Sequence, residues 1–158
     1  MAEGRSTEVQ EQIQCVTFTL EDETYGINVM QVQEVLREIE VAPVPGAPYY
    51  VIGIINLRGN VVSVIDARKR FGLPTIESSD LSRIIVIEVK QHIVGILVDS
   101  VAEVVDIKPE EIETAPNVGT DETSRYIDGV VSRGDKLLIL VDLNKLLSTE
   151  EWGEVEGF

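Results

Sequence analysis

The chain has 158 residues, 44% of them hydrophobic, and 13 Lys and Arg stand against 28 Asp and Glu, a formal charge of −15. That is about one domain, long enough to bury roughly two-thirds of its unfolded surface, and the negative charge argues against nucleic acid or an anionic membrane as a partner. No apolar segment opens the chain and no run nears the roughly 18 apolar residues of a membrane span, so a cytoplasmic protein without membrane insertion is expected.

Residues 1–12 are polar and without period and read as a disordered tail. Apolar alternation and β-branched residues then mark strands at Ile13–Leu20 and Thr24–Val29, with Glu21-Asp22-Glu23 turning between them. The single cysteine, Cys15, excludes an internal disulfide and reads as a buried, inert thiol. Gln31–Leu36 has apolar residues three apart, which fits a short helical turn or an irregular strand equally. Three prolines make Val41–Pro48 a stiff extended connection. Strands follow at Val51–Leu57 and Asn60–Asp66 about Gly59-Asn60, and at Ile84–Lys90 and Ile93–Asp99 about Lys90-Gln91. His92 falls at that second turn, where an exposed histidine outweighs a general base. Asp99–Val105 repeats the ambiguous spacing; strands at Ile127–Ser132 and Lys136–Val141 flank Gly134-Asp135. Each hairpin pair is expected to be antiparallel. Asp66–Phe71 and Asp142–Leu147 look helical, each opened by an Asp able to cap free amides. Arg68-Lys69-Arg70 reads as a solvated face or helix start, and Ser148–Phe158 as a loose acidic tail on which Trp152 and Phe158 could dock.

The chain is built twice from one pattern. YGINVMQVQEV, from Tyr25, returns as VGILVDSVAEV, from Val94, at a constant offset of 69 (Gly26 to Gly95). VIGIINLRGNVVSVIDARKRFGL, from Val51, returns more loosely as YIDGVVSRGDKLLILVDLNKLL, from Tyr126; the copies pair Tyr50 with Tyr126, Gly53 with Gly129, Arg58-Gly59 with Arg133-Gly134 and Asp66 with Asp142. The offset there is 76 (Gly53 to Gly129), so the second half carries extra residues, placed in the polar run Pro116–Arg125. Two halves, about 13–75 and 82–148 with strand exchange possible, predict similar small barrels related by a pseudo-twofold within one domain, 13–148. Halves near 60 residues are marginal alone and are expected to share one core, with the groove between them a candidate site.

Catalytic chemistry is scarce. One His and one Cys offer no zinc spacing and no nucleophile with a base, and Asp66, Asp99 and Asp142 each recur in a strand-to-turn pattern that capping explains. Isolated glycines make no phosphate loop, so no cofactor and no enzyme activity are expected.

GIINLRGNVVSVIDARKRFG, together with YGINVMQVQEV, GILVDSVAEV and LLILVDLNKLL, resembles the chemotaxis coupling protein family, known as CheW, over nearly the whole folded chain. The resemblance implies an all-β fold with short helices, two SH3-like five-stranded barrels on a shared core. It also implies a non-catalytic adaptor linking the cytoplasmic hairpin tip of methyl-accepting chemoreceptors to the regulatory domain, of the same fold, of a histidine autokinase, within receptor arrays at the inner face of the membrane. Matching motifs assign Val32, Glu34, Gly53, Arg58, Gly95 and Val104 to the receptor groove, with Glu34 the expected partner of Arg58, whose guanidinium can hold a carboxylate through two hydrogen bonds. Kinase contact through apolar edge residues is carried onto Ile39, Val41 and Val44, which packing beneath the loop would explain as well. A second, ring-closing contact is carried onto Glu113 and Val118, where this chain lacks the basic and aromatic residues of related chains. The alternative the sequence leaves open is an adaptor of the same fold in another receptor array, for surface motility or second-messenger control.

Overall fold

The computed structural model describes residues 12–37, 40–114 and 125–156; residues 1–11 of the expected tail, Ile39, Val118, nearly all of Pro116–Arg125 and Phe158 lie outside them. The first alternating runs form β1 (Ile13–Leu20) and β2 (Glu23–Asn28), and a 3-10 turn at Val29–Gln31 leads into β3 (Val32–Leu36). After the proline-rich connection come β4 (Val51–Leu57), β5 (Asn60–Asp66) and a single helical turn, α1 (Ala67–Arg70). The second half repeats the order with β6 (Arg83–Val89), β7 (His92–Val98) and β8 (Ser100–Ile107), then a short β9 (Ile112–Glu113), β10 (Ile127–Arg133) and β11 (Lys136–Val141). Of the two ambiguous segments, Gln31 closes the 3-10 turn and Val32–Leu36 is a strand, while Ser100–Val105 lies in β8; both strands carry register shifts, against β6 and β1.

The strands make two sheets, ordered β8-β1-β2-β11-β10-β9 and β3-β6-β7-β5-β4. The repeat halves therefore exchange their first hairpins: β1-β2 completes the barrel of the second half, and β6-β7 that of the first. The joins are parallel pairs, β2 with β11 and β5 with β7, which no hairpin signal announces. The pseudo-twofold holds residue by residue, since Gly26 opposite Leu140 matches Gly95 opposite Val64 at offsets of 69 and 76. One sequence alignment needs correction. Leu57 pairs Asn60 and Arg133 pairs Lys136, so the turns are Arg58-Gly59 and Gly134-Asp135, and Arg58 corresponds to Gly134, not to Arg133. Hairpin register outweighs the letter match.

Three apolar clusters follow. Ile55, Val62, Val64 and Ile84 fill the five-stranded barrel, and their counterparts Val131, Leu138, Leu140 and Cys15 fill the six-stranded one. The largest cluster lies between them and joins Phe18, Leu20 and Ile27 of one barrel to Ile65, Ile85, Ile87 and Val94 of the other. Rings run through it from Phe18 to Tyr25 at 5.7 Å, to Phe71 at 5.6 Å and on to Tyr126 at 5.5 Å.

The Asp caps form as expected: Asp66 accepts the Arg68 amide and Asp142 the Asn144 amide, each at 2.9 Å. The basic run is not a solvated face. Arg68 is buried, donating to Asp99 Oδ1 at 2.9 Å and Oδ2 at 2.6 Å, while Arg70 lies between Tyr50 and Tyr126, 4.6 and 5.3 Å from their centroids. The end of the chain is not loose either. Thr149–Glu156 is a helix, α2, started by a reciprocal Ser148 and Glu151 capping box. Its Glu151 takes two hydrogen bonds from Arg70 at 2.7 and 2.9 Å, and its Trp152 stacks on His92 at 4.6 Å, so His92 is partly covered rather than an open turn residue. Ser63 on β5 donates to the Val155 carbonyl at 3.0 Å, which lets α2 tie the end of the six-stranded barrel's chain to the five-stranded sheet.

Candidate functional site

Glu34 sits on β3 and Arg58 in the β4–β5 turn, and these elements carry the two edges of the five-stranded sheet. The Asn28 side chain accepts the Met30 amide at 2.9 Å and sets the turn that feeds β3. Arg58 and Gly59 both take left-handed backbone, φ 52° and 88°, the geometry of a two-residue hairpin turn, and the Asn56 side chain accepts the Gly59 amide at 2.9 Å. A non-glycine residue is strained there, and Gly134 at the equivalent position shows the unstrained choice.

From that turn the Arg58 guanidinium reaches Glu34 with both terminal nitrogens, Nη1 donating to Oε1 at 3.4 Å and Nη2 to Oε2. The pair bridges the open edges of the barrel while 71% of the Arg58 side chain stays exposed. The Glu34 hydrogen bond and charge push Arg58 further up, so the guanidinium is a fixed cation. Beside it opens a cup of about 360 Å³ lined by Gln33, Leu57, Arg58, Val61 and Ile93. Val61 and Ile93 are 68% and 40% exposed, so the cup offers aliphatic surface next to a held cation. The sister barrel has Glu103 in place of Glu34, and there Thr17 takes the Glu103 backbone through its hydroxyl instead.

The structure thus brings Glu34 and Arg58 together, as the sequence suggested, and not the whole expected set. Val32 is half-buried against the shared core. Gly53 and Gly95 are buried: a Cβ would stand 2.2 Å from the Ala42 carbonyl at Gly53 and 2.7 Å from Ile84 at Gly95, so close packing accounts for both glycines. Val104 belongs to the six-stranded sheet and is the counterpart of Val35; each is exposed. Val41 and Val44 are half-buried, and the side chain of Val41 packs on the core of the five-stranded barrel beside the Ala42–Ile54 bridge. Glu113 is exposed on β9, its backbone paired with Val130. Sequence reasoning missed Val61 and Ile93; the signal available was a second apolar residue just after each two-residue turn, where one side of the hairpin faces solvent. No helix among the described residues is long and apolar enough to cross a membrane.

The CheW-like domain model matches residues 14–151. The chain is 41% identical to the chemotaxis protein CheW of Treponema pallidum, aligned over 89% of this chain and 85% of that protein, and 37% identical to the chemotaxis protein CheW of Bacillus subtilis, over 85% and 86%. The crystal structure of the scaffolding protein TtCheW from Thermoanaerobacter tengcongensis matches with a TM-score of 0.80 at 36% identity, covering 88% of this chain and 94% of that one. Two exchanged barrels, a shared core, and a match of domain model, sequence and solved structure along nearly the full folded length place this chain in the CheW-like family of chemotaxis scaffolding proteins.

Proposed function

We propose that this chain is the adaptor that couples methyl-accepting chemoreceptors to a histidine autokinase, holding the two in one assembly and doing no chemistry itself. The receptor's cytoplasmic hairpin tip docks at the face carrying Glu34 and Arg58, and the kinase's regulatory domain docks at the Val41–Val44 side of the same barrel. Such binding recruits the protein to receptor arrays at the inner face of the membrane. Val32 and the packing allowed by Gly53 and Gly95 shape the receptor face from beneath, and Val104 contributes from the neighbouring barrel.

The observation that carries this reading is Arg58 itself. A strained left-handed residue is kept where glycine would fit, and its side chain is spent on a solvent-facing pair beside an aliphatic cup. Left-handed backbone alone does not single Arg58 out, since Glu21, Lys90 and Gln91 share it; a cation held beside exposed aliphatic surface does. Calorimetric titration against a receptor cytoplasmic fragment and, separately, a kinase regulatory domain tests it. Wild type is expected to bind both; Arg58→Gly, which relieves the strain and deletes the guanidinium, is expected to keep the urea midpoint at or above wild type and weaken the receptor leg alone. Unchanged receptor binding by Arg58→Gly would refute the assignment of the receptor face.

A further inference from the structure

The five-stranded barrel has an open mouth. A cleft of about 570 Å³ lies there, floored by Val41, Ile52, Ile84 and Leu97 and edged by Arg37 and Arg83. The last β3–β6 pair is Leu36 with Ile84, and carrying that register one residue further sets Arg37 opposite Arg83. Like charges directly opposite on neighbouring strands repel. Glu40 also edges the cleft, yet neither arginine makes an ion pair with it or with any other carboxylate among the described residues; Arg83 donates only to the Asp80 and Ser82 carbonyls, both at 2.8 Å. By contrast Arg58, Arg68, Arg70 and Arg133 each have a carboxylate partner. Arg125, over the Tyr126 ring, also has no carboxylate partner among the described residues, but Arg37 and Arg83 are the two that stand together at one cleft, which makes it a donor site for an incoming carboxylate.

The pseudo-twofold shows the same strand positions carrying a matched pair. Arg37 and Arg83 correspond to Asp106 and Gln14, which hydrogen-bond to each other at 3.0 Å. There Arg133 donates to the Asp106 carbonyl at 2.5 Å and to Glu111 at 3.4 Å. In the five-stranded barrel the apolar Leu57 stands where Arg133 does, and the cleft is edged by two arginines.

The geometry points to a docking cleft for a protein surface that presents an Asp or Glu carboxylate beside aliphatic side chains, the carboxylate held between Arg37 and Arg83 and the aliphatic part on Val41, Ile52 and Leu97. This rests on the reading above, under which the partner is the kinase regulatory domain. It adds that recognition at Val41 is electrostatic as well as apolar. A guanidinium fork suits a single carboxylate, whereas the chain's charge of −15 turns away partners that are acidic throughout.

The test titrates the full chain with the regulatory domain at low and high salt, using wild type, Arg37→Lys and Arg37→Glu. Arg37 is exposed and has no ion-pair partner among the described residues, so Arg37→Glu is expected to keep the wild-type urea midpoint. Its affinity is expected to fall about tenfold or more at low salt, with the gap closing at high salt, while Arg37→Lys stays within roughly threefold. Binding by Arg37→Glu within twofold of wild type overturns the cleft and leaves the coupling reading standing. No binding by wild type overturns both. Self-association of wild type that Arg37→Glu abolishes assigns the cleft to a second copy and overturns the kinase as its occupant.

Discussion

Arg70→Met removes the cation on which the end of the chain is anchored. The guanidinium makes three hydrogen bonds, one to the Leu146 carbonyl at 2.9 Å and two to Glu151, and its side chain is 6% exposed against 25% for Glu151. Breaking a buried pair by removing one partner costs about 3–5 kcal/mol. Glu151 still reaches water and keeps the Ser148 amide at 2.9 Å, which places the cost near the low end, about 3 kcal/mol. For a chain of this length that is a fall of roughly 6–12 °C in Tm. Trp152 is the single tryptophan and sits on the helix being released, so its fluorescence in a urea titration reports both α2 docking and global unfolding. The double variant with Glu151→Gln is expected to recover about 1–2 kcal/mol of the loss, because the stranded carboxylate is gone. A loss under about 1 kcal/mol, or strict additivity of the two substitutions, would refute the view that Arg70 anchors α2 through Glu151.

The acid dependence of stability has a determined sign. The hydrogen bond from Arg68 holds Asp99 below its ordinary 3.8 despite burial. Burial pushes Glu151 up, but Arg70 and Ser148 outweigh it and hold the carboxyl below 4.5. Folded values below unfolded ones mean stability that is complete above about pH 4.5 and is lost as pH falls through the folded values, so urea midpoints should drop between pH 5 and 3, and a flat profile contradicts both pairs. Gly53→Ala should cost about 2–3 kcal/mol in chemical unfolding, since its Cβ would stand 2.2 Å from the Ala42 carbonyl at φ 154°, whereas a near-neutral result would mean that the 41–42 segment yields freely. Burial pushes the Cys15 thiol up to about 11, so a disulfide reagent at pH 8 should modify it only on unfolding; prompt reaction of the native protein would contradict its place in the barrel core. Trp152→Ala should destabilise by about 3–5 kcal/mol in thermal unfolding followed by circular dichroism, and a small loss would show that α2 contributes little.

Much of the architecture is legible because hairpins are local. Runs such as Asn60–Asp66 and Lys136–Val141 are short, rich in aliphatic and β-branched residues and bounded by turns, and a short turn fixes each register. The twofold pattern was legible for the same reason, since paired sites such as Gly26 and Gly95 meet the same packing in both barrels. What escaped is non-local. Nothing in β2 or β11 states that they pair in parallel, so the exchange of hairpins is decided by the shared core and not by any turn. The one-residue error at Arg58 arose because the eye aligns Arg-Gly with Arg-Gly, while the ladder aligns turn with turn. Arg68 and Arg70 carry no periodic signal of burial; their partners Asp99 and Glu151 lie 31 and 81 residues away. α2 was within reach, because Ser148 and Glu151 at capping-box spacing, followed by Trp152 and Val155 three apart, mark a helix start with one apolar face. In the site, Glu34 and Arg58 were found as a pair, but the cup and the cationic mouth depend on how a sheet curls and where its edges stop.

Coupling is a statement about three proteins at once, so sedimentation of a receptor cytoplasmic fragment with a kinase regulatory domain, with and without this chain, tests it most directly. The account predicts that the kinase domain travels with the receptor only when the chain is present, and that Arg58→Gly leaves the chain on the kinase domain but releases both from the receptor. Competition between receptor and kinase domain for the chain, or equal co-sedimentation without it, would contradict the coupling role.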